Sequence, residues 1–268
     1  MNRLKIGICL EALGLPLRRG LAEAVRLRVA GVQVDATGEL GPNKLSQTGR
    51  REFSHLLRSM DLELSAIGCP LRRGLDSAED QQPRIEHVKR VMSLAFDLGP
   101  RVVVIQAGRV PDADEEKASA PRVGYLAEAL RALGAHGDRT GVVLALETGL
   151  ESGATLREYL NRFDAGSLQV NYDPANLLMN GFDPIESLRE LRGKVRHVHA
   201  KDARIVGASR SAREVPLGQG DIDWLQLLAT LEEVDYRGWL TIERESSDDR
   251  LGDAAGAVSF LRRLLGIA

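Results

Sequence analysis

From His197 to Lys201 the chain alternates polar and apolar residues. In an extended strand that spacing puts His197, His199 and Lys201 on one face and Val198 and Ala200 on the other. Imidazoles and an ammonium are costly to bury without partners, so such a face belongs in a functional cavity that supplies them. Three other apolar runs close on an acid: Val142 to Leu146 on Glu147, Leu168 to Tyr172 on Asp173, and Trp239 to Ile242 on Glu243. With His199 these make three carboxylates and one imidazole. That donor set suits a divalent cation of Mn, Mg, Co or Zn type, with Mn favoured, more than a thiol-preferring metal. A single acid at a strand end can instead cap the next helix, and Asp173 before Pro174 suits both roles. Four such positions together weigh toward a shared site.

The elements that must position these residues follow from periodicity. Strand-like runs occupy 4–11, 31–36, 62–68, 101–106, 141–147, 167–173, 195–202 and 237–243. Helical patterns fall between and after them, at about 16–29, 46–60, 83–99, 121–138, 155–163, 184–191, 223–234 and 254–265. The charged stretch 112–117 and the segment 203–220 read as loops. The second is the longest structureless piece, a length that in compact domains usually carries function. Eight strand-helix units without a linker predict a single (β/α)8 TIM barrel over residues 1–268. A doubly wound sheet would carry a Gly-rich phosphate turn, and neither GxGxxG nor GxxxxGK[ST] occurs.

In such a barrel one face of each strand meets the helices and the other points to the axis. Leu144, Leu146, Val170, Tyr172, Leu240 and Ile242 take the helix face. Glu147, Asp173, His199 and Glu243 then point inward at the end of the barrel where active sites of this fold lie. His197, one step deeper, reads as a supporting residue. Lys201 and Arg204 are candidates to hold a substrate oxygen, carboxylate or phosphate. Asp202 either orients Lys201 or caps the loop. On the earlier strands Glu11 and Gln106 reach the mouth, whereas Gln33 and Asp35 either reach it or fill the interior.

Composition excludes several classes. The 268 residues carry 38 acidic and 36 basic side chains, a net charge of −2, which argues against nucleic acid and anionic membranes as partners. No run approaches the roughly 20 apolar residues of a membrane span, and Met1 to Lys5 leads straight into a strand, so a soluble cytoplasmic protein is expected. Cys9 and Cys69 form neither a CxxC pair nor a disulfide framework, and read as small buried residues.

The segments Leu146-Glu147-Thr148-Gly149, Asn171-Tyr172-Asp173-Pro174-Ala175-Asn176, His197-Val198-His199-Ala200-Lys201-Asp202, Pro216 to Trp224 and Gly238 to Glu243 resemble the xylose isomerase-like sugar phosphate isomerase/epimerase family. The resemblance implies that Glu147, Asp173, His199 and Glu243 hold a divalent metal. It also implies that Glu147 and Glu243 act as acid and base on opposite faces of a carbohydrate, through a metal-stabilised enediolate. Homodimers or homotetramers are common in the family. Ketose epimerases of the family carry His where this chain has Asn176, and Glu where it has Gly153. Asn176 keeps a hydrogen-bond donor for substrate but cannot titrate. Glu151 nearby reads either as a stand-in for that glutamate or as an ordinary exposed loop residue.

Three other functions are compatible with parts of the pattern. The same metal and bases serve a lyase or dehydratase acting on an inosose or a 3-keto-glycoside. A sugar-binding barrel with a degenerate site is the non-enzyme reading, against which all four ligands weigh. An endonuclease IV-like trinuclear zinc site requires histidines where this chain has Gly68-Cys69, Gln106 and Asn176, and is disfavoured.

Overall fold

The computed structural model describes residues 4–117, 121–207 and 211–267. Eight parallel strands close into a barrel: β1 (Lys5–Cys9), β2 (Gly31–Asp35), β3 (Glu63–Gly68), β4 (Val102–Ile105), β5 (Val143–Glu147), β6 (Leu168–Tyr172), β7 (Val195–Ala200) and, after the hairpin β8 (Asp202–Val206) and β9 (Ser211–Val215), β10 (Trp239–Ile242). Closure comes from β1 pairing with both β2 and β10, with Gly7 opposite Gly31 and Thr241. The helices are α1 (Leu17–Arg26), α2 (Gln47–Ser59), α3 (Gln81–Leu98), α4 (Ala113–Lys117), α5 (Pro121–Thr140), α6 (Gly153–Leu160), α7 (Pro174–Met179), α8 (Pro184–Glu190), α9 (Trp224–Glu233) and α10 (Arg250–Leu265). No described helix is long and apolar enough to cross a membrane.

The sorting of strand faces follows the period-two pattern. Leu144, Leu146, Val170, Tyr172, Val198, Ala200, Leu240 and Ile242 join one continuous core with the helices. Ala66, Val102, Val104 and Ala145 make a separate small cluster against Val143. Small apolar residues there leave room for polar ones: Gln33, Ser65, Asn171, His197 and Thr241 are all buried. Leu144 is fully buried in the strand-helix core. Leu144→Ala is expected to cost about 2–5 kcal/mol through lost transfer energy plus a cavity, seen as a lower urea midpoint.

Helix starts are set by local chemistry. Ser46, Ser152, Asp173, Asp183, Asp223 and Asp249 each accept a hydrogen bond from a backbone N–H of the first turn. The Asp249 cap explains why α10 begins at Arg250, ahead of the expected 254. Two segments expected as loops carry regular structure. Residues 113–117 form α4, and the 203–220 segment holds most of the antiparallel hairpin β8–β9, paired from Asp202 opposite Val215 to Val206 opposite Ser211. Residues 208–210 lie outside the described residues, as do Met1 to Arg3. The hairpin was illegible because its strands are short and polar, and its partner is itself rather than the barrel.

Candidate metal centre

Glu147 ends β5, Asp173 follows β6, His199 lies on β7 and Glu243 follows β10, so adjacent strands deliver the four side chains to one end of the barrel. Their donor atoms all lie within 4.8 Å of one another. Gly149, at φ +140°, lets the turn after β5 pass closely against α7, where a Cβ would fall 2.5 Å from that of Asn176. The Thr148 hydroxyl ties the ends of β5 and β6 together: it donates to the Asp173 carbonyl (3.1 Å) and accepts from the Asp173 N–H (2.8 Å).

His199 is oriented from behind. Its Nε2 lies 3.0 Å from Gln33 Oε1, an acceptor, which places the proton on Nε2 and turns Nδ1 toward the acids. Nδ1 sits 3.0 Å from Glu147 Oε1 and 3.3 Å from Glu243 Oε2, with Asn171 Nδ2 at 3.1 Å. Two carboxylate oxygens facing a ring nitrogen require a positive species between them. Without a metal a proton serves: burial pulls the His199 pKa down, but Glu243, Cys9 and Glu147 together hold it well above its ordinary value. Glu243 is correspondingly held well below the usual carboxylate range, because His199 and Lys201 outweigh its burial.

Asp173 uses Oδ1 to cap α7 through the Asn176 N–H at 2.9 Å. Its Oδ2 is buried and has no hydrogen-bond partner among the described residues, although the Lys201 ammonium lies 3.6 Å away. Burial pushes this carboxyl up to about 7 in spite of Lys201. An orphaned buried oxygen, an imidazole lone pair and two more carboxylates converging on one point fit a hard divalent cation. A second grouping, Cys9 with His199 and Glu243, also satisfies the distance. It fits less well, because burial pushes the Cys9 thiol up to about 12 and Gln33 already occupies Nε2.

A cavity of about 380 Å³ opens beside the cluster and is lined by Glu147, His199 and Glu243. The outer oxygens, Oε2 of Glu147 and Oε1 of Glu243, have no hydrogen-bond partner among the described residues. Glu11 and Gln106 line the cavity too, as expected, and so do Gln33 and Asp35.

The other expected contacts fall elsewhere. Lys201 is 1% exposed and lies behind the cluster, bonded to Glu243 Oε2 (3.1 Å), Asn176 Oδ1 (3.3 Å) and Glu245, and it does not line the cavity. Asn176 is half-buried and likewise off the cavity wall. It bridges Lys201 to Glu147, toward whose Oε1 its Nδ2 donates at 3.4 Å. Arg204 is on β8, exposed, and donates to the Gln219 carbonyl; the hairpin carries it away from the site. Asp202 does not contact Lys201. It accepts from the N–H groups of Ala203, Gly218 and Gly220 and from Trp224 Nε1, and so fixes the segment before α9. His197 is neutral, its pKa pushed well below the ordinary value by burial and by His199. It lies 2.8 Å from both Asn171 Oδ1 and Thr241 Oγ1, inside the barrel. Glu151 is buried, not exposed: it accepts from the Val110 N–H at 3.2 Å, and burial pushes it up to about 7.

Sequence reasoning missed Glu245 and Glu214. Glu245 stands two residues past Glu243, as Lys201 stands two past His199, so strand parity could have paired them. Glu214, on β9, accepts the N–H groups of Glu245 and Ser246 and pairs with Arg244 at 3.0 Å, tying the hairpin to the loop that follows Glu243. No sequence signal pointed to that long-range contact.

Known proteins share this arrangement of strands. A xylose isomerase domain protein from Planctomyces limnophilus superposes with a TM-score of 0.85 at 28% identity, covering 98% of this chain and 97% of that one. An L-ribulose 3-epimerase superposes at 0.78 with 19% identity, covering 98% and 95%. In sequence, inosose dehydratase of Clostridium tetani is 30% identical over 117 residues, 38% of this chain and 39% of that protein. The chain spans about half or less of the length of the curated relatives it matches. Residues 21–264 match the family model described as xylose isomerase-like TIM barrel, and the chain belongs to that family.

Proposed function

We propose that the protein is a divalent-metal-dependent isomerase or epimerase of a sugar or related polyol, working by proton transfer through an enediolate. The observation that carries this reading is the convergence of Glu147, Asp173, His199 and Glu243 within 4.8 Å, three of them, Glu147, His199 and Glu243, at the wall of a cavity. A cation held by these four supplies Lewis acidity to a carbonyl and its neighbouring hydroxyl, which makes the adjacent C–H removable. Glu147 and Glu243 then act as the proton-transfer pair, each presenting one oxygen without a protein partner. Lys201 and Asn176 hold the charge and orientation of that pair from behind. Manganese is the favoured metal, since three oxygen donors and one imidazole suit a hard to borderline ion.

The runner-up is a lyase. Its support is the local 30% identity to an inosose dehydratase, and it needs the same first proton abstraction, followed by loss of a leaving group β to the carbonyl. One experiment separates the two. Ketoses, inososes and 3-keto-glycosides incubated with the Mn-loaded protein in deuterated water are expected to gain deuterium at the carbon next to the carbonyl, with retention of all oxygens. Loss of water or of the glycosidic group instead assigns the lyase. Metal analysis is expected to find one divalent ion per chain; failure to bind any, with the four ligands intact, removes the proposal.

A further inference from the structure

The cavity has two walls of different origin. The candidate metal centre comes from β5, β6, β7 and β10. The facing wall is supplied by the other half of the barrel, where Glu11 follows β1 and Gln33 and Asp35 lie on β2. Glu11 Oε1 accepts the Asp35 N–H at 2.8 Å, so the two carboxyl groups are held side by side. Neither has a cation within ion-pairing distance among the described residues. Gly68, at the end of β3, allows this: Asp35 Oδ1 occupies the place that a Cβ at that position would take.

Gln33 adds a second, independent observation. The residue is 4% exposed, its Oε1 is taken by His199, and its Nε2 has no hydrogen-bond partner among the described residues although the residue lines the cavity. A buried amide donor left open next to two carboxylates is the complement of hydroxyl groups, which both donate and accept.

The cations on the cavity wall are already engaged. Arg244 pairs with Glu214 (3.0 Å) and Asp253 (2.9 Å), and Arg250 donates to the carbonyls of Ala12 and Glu245, both at 3.1 Å. An anionic end of a substrate would therefore meet the uncompensated carboxylates of Glu11 and Asp35 on this wall, while both η nitrogens of Arg250 are already donating to carbonyls.

Resting on the proposed carbohydrate reaction, we infer that Glu11, Asp35 and Gln33 form the specificity wall of the site. They bind the hydroxyl groups distal to the reacting carbonyl and exclude phosphorylated or carboxylated substrates. Burial and the charges of Glu11 and Glu243 push Asp35 up to about 7, and burial raises Glu11.

The test is calorimetric binding to the Mn-loaded protein of neutral ketoses, such as D-fructose and D-xylulose, each against its terminal phosphate ester. The neutral member is expected to bind at least tenfold more tightly. Glu11→Gln and Asp35→Asn, which keep an acceptor and the side-chain shape, are expected to narrow that gap at least tenfold. Gly68→Ala, which displaces Asp35, is expected to weaken neutral ligands while leaving the thermal midpoint of the metal-loaded protein within a few degrees. Equal or tighter binding of the esters, binding of neither member, or variants that leave the ratio unchanged overturns the inference. Binding selectivity without deuterium exchange overturns the proposed reaction alone and leaves the specificity wall standing, so the two failures are distinguishable.

Discussion

Glu243→Gln is expected to reduce solvent deuterium incorporation into the substrate by about 10²- to 10⁴-fold, the range for removing a positioned general acid or base. The amide keeps one oxygen to accept from Lys201, now at 3.1 Å from Oε2, and fills the same space. What it removes is the charge held beside His199 and the ability to take a proton. Metal content measured alongside separates loss of the base from loss of the ion. Glu245→Gln is the control: Glu245 also pairs with Lys201, but its side chain is 59% exposed, so its removal is expected to change exchange less than about threefold. Full exchange by Glu243→Gln with the metal retained would transfer the proton-abstracting role to Glu147.

The second large effect concerns Asp173, and its two consequences have opposite signs. Asn is as good an N-cap as Asp, so Asp173→Asn keeps the bond to the Asn176 N–H that starts α7. It also replaces a buried carboxyl whose Oδ2 has no hydrogen bond with a neutral amide. The metal-free variant is therefore expected to melt at or above the temperature of the metal-free wild type. Metal affinity is expected to fall at least about 100-fold, more than the loss of a supporting contact alone would cost. Manganese at about 100 times the wild-type dissociation constant stabilises by about 2.7 kcal/mol, or roughly 5 °C or more for a chain of this size. That increment is expected to disappear in the variant. A variant that melts lower without metal and gains the full increment with it would assign Asp173 to capping alone.

The contrast between Asp173 and Lys201 explains how far local sequence reaches. Asp173 is legible because two local rules meet on it: the end of an alternating strand, and an acid before Pro174 at a helix start. Lys201 is legible only in direction. Parity turns it inward, but whether an inward ammonium meets substrate or carboxylates depends on residues 25–44 positions away: Asn176, Asp173, Glu243 and Glu245. The place of Arg204 was illegible for the same reason, and so was the choice between the two readings of Asp202, which caps the loop and does not meet Lys201. The segment after β7 turns into a hairpin whose partner strand is nine residues further on, and that pairing, not strand parity, decides where their side chains go.

The sequence by itself determined the eightfold alternation of strands and helices, the face on which each strand carries its polar residues, and the four donors that meet at one end of the barrel. These follow from periods of two and 3.6 residues and from caps, which are local and survive without knowledge of any neighbour. Only the tertiary structure decided which polar groups spend their hydrogen bonds on each other and which stay open to the cavity. Gln33 orienting His199, Glu245 and Asn176 holding Lys201, Glu214 anchoring the loop after Glu243, and Glu11 beside Asp35 all join distant strands. Closure of the barrel brings those strand ends within hydrogen-bonding distance, and a contact created by closure leaves no periodic trace in the chain.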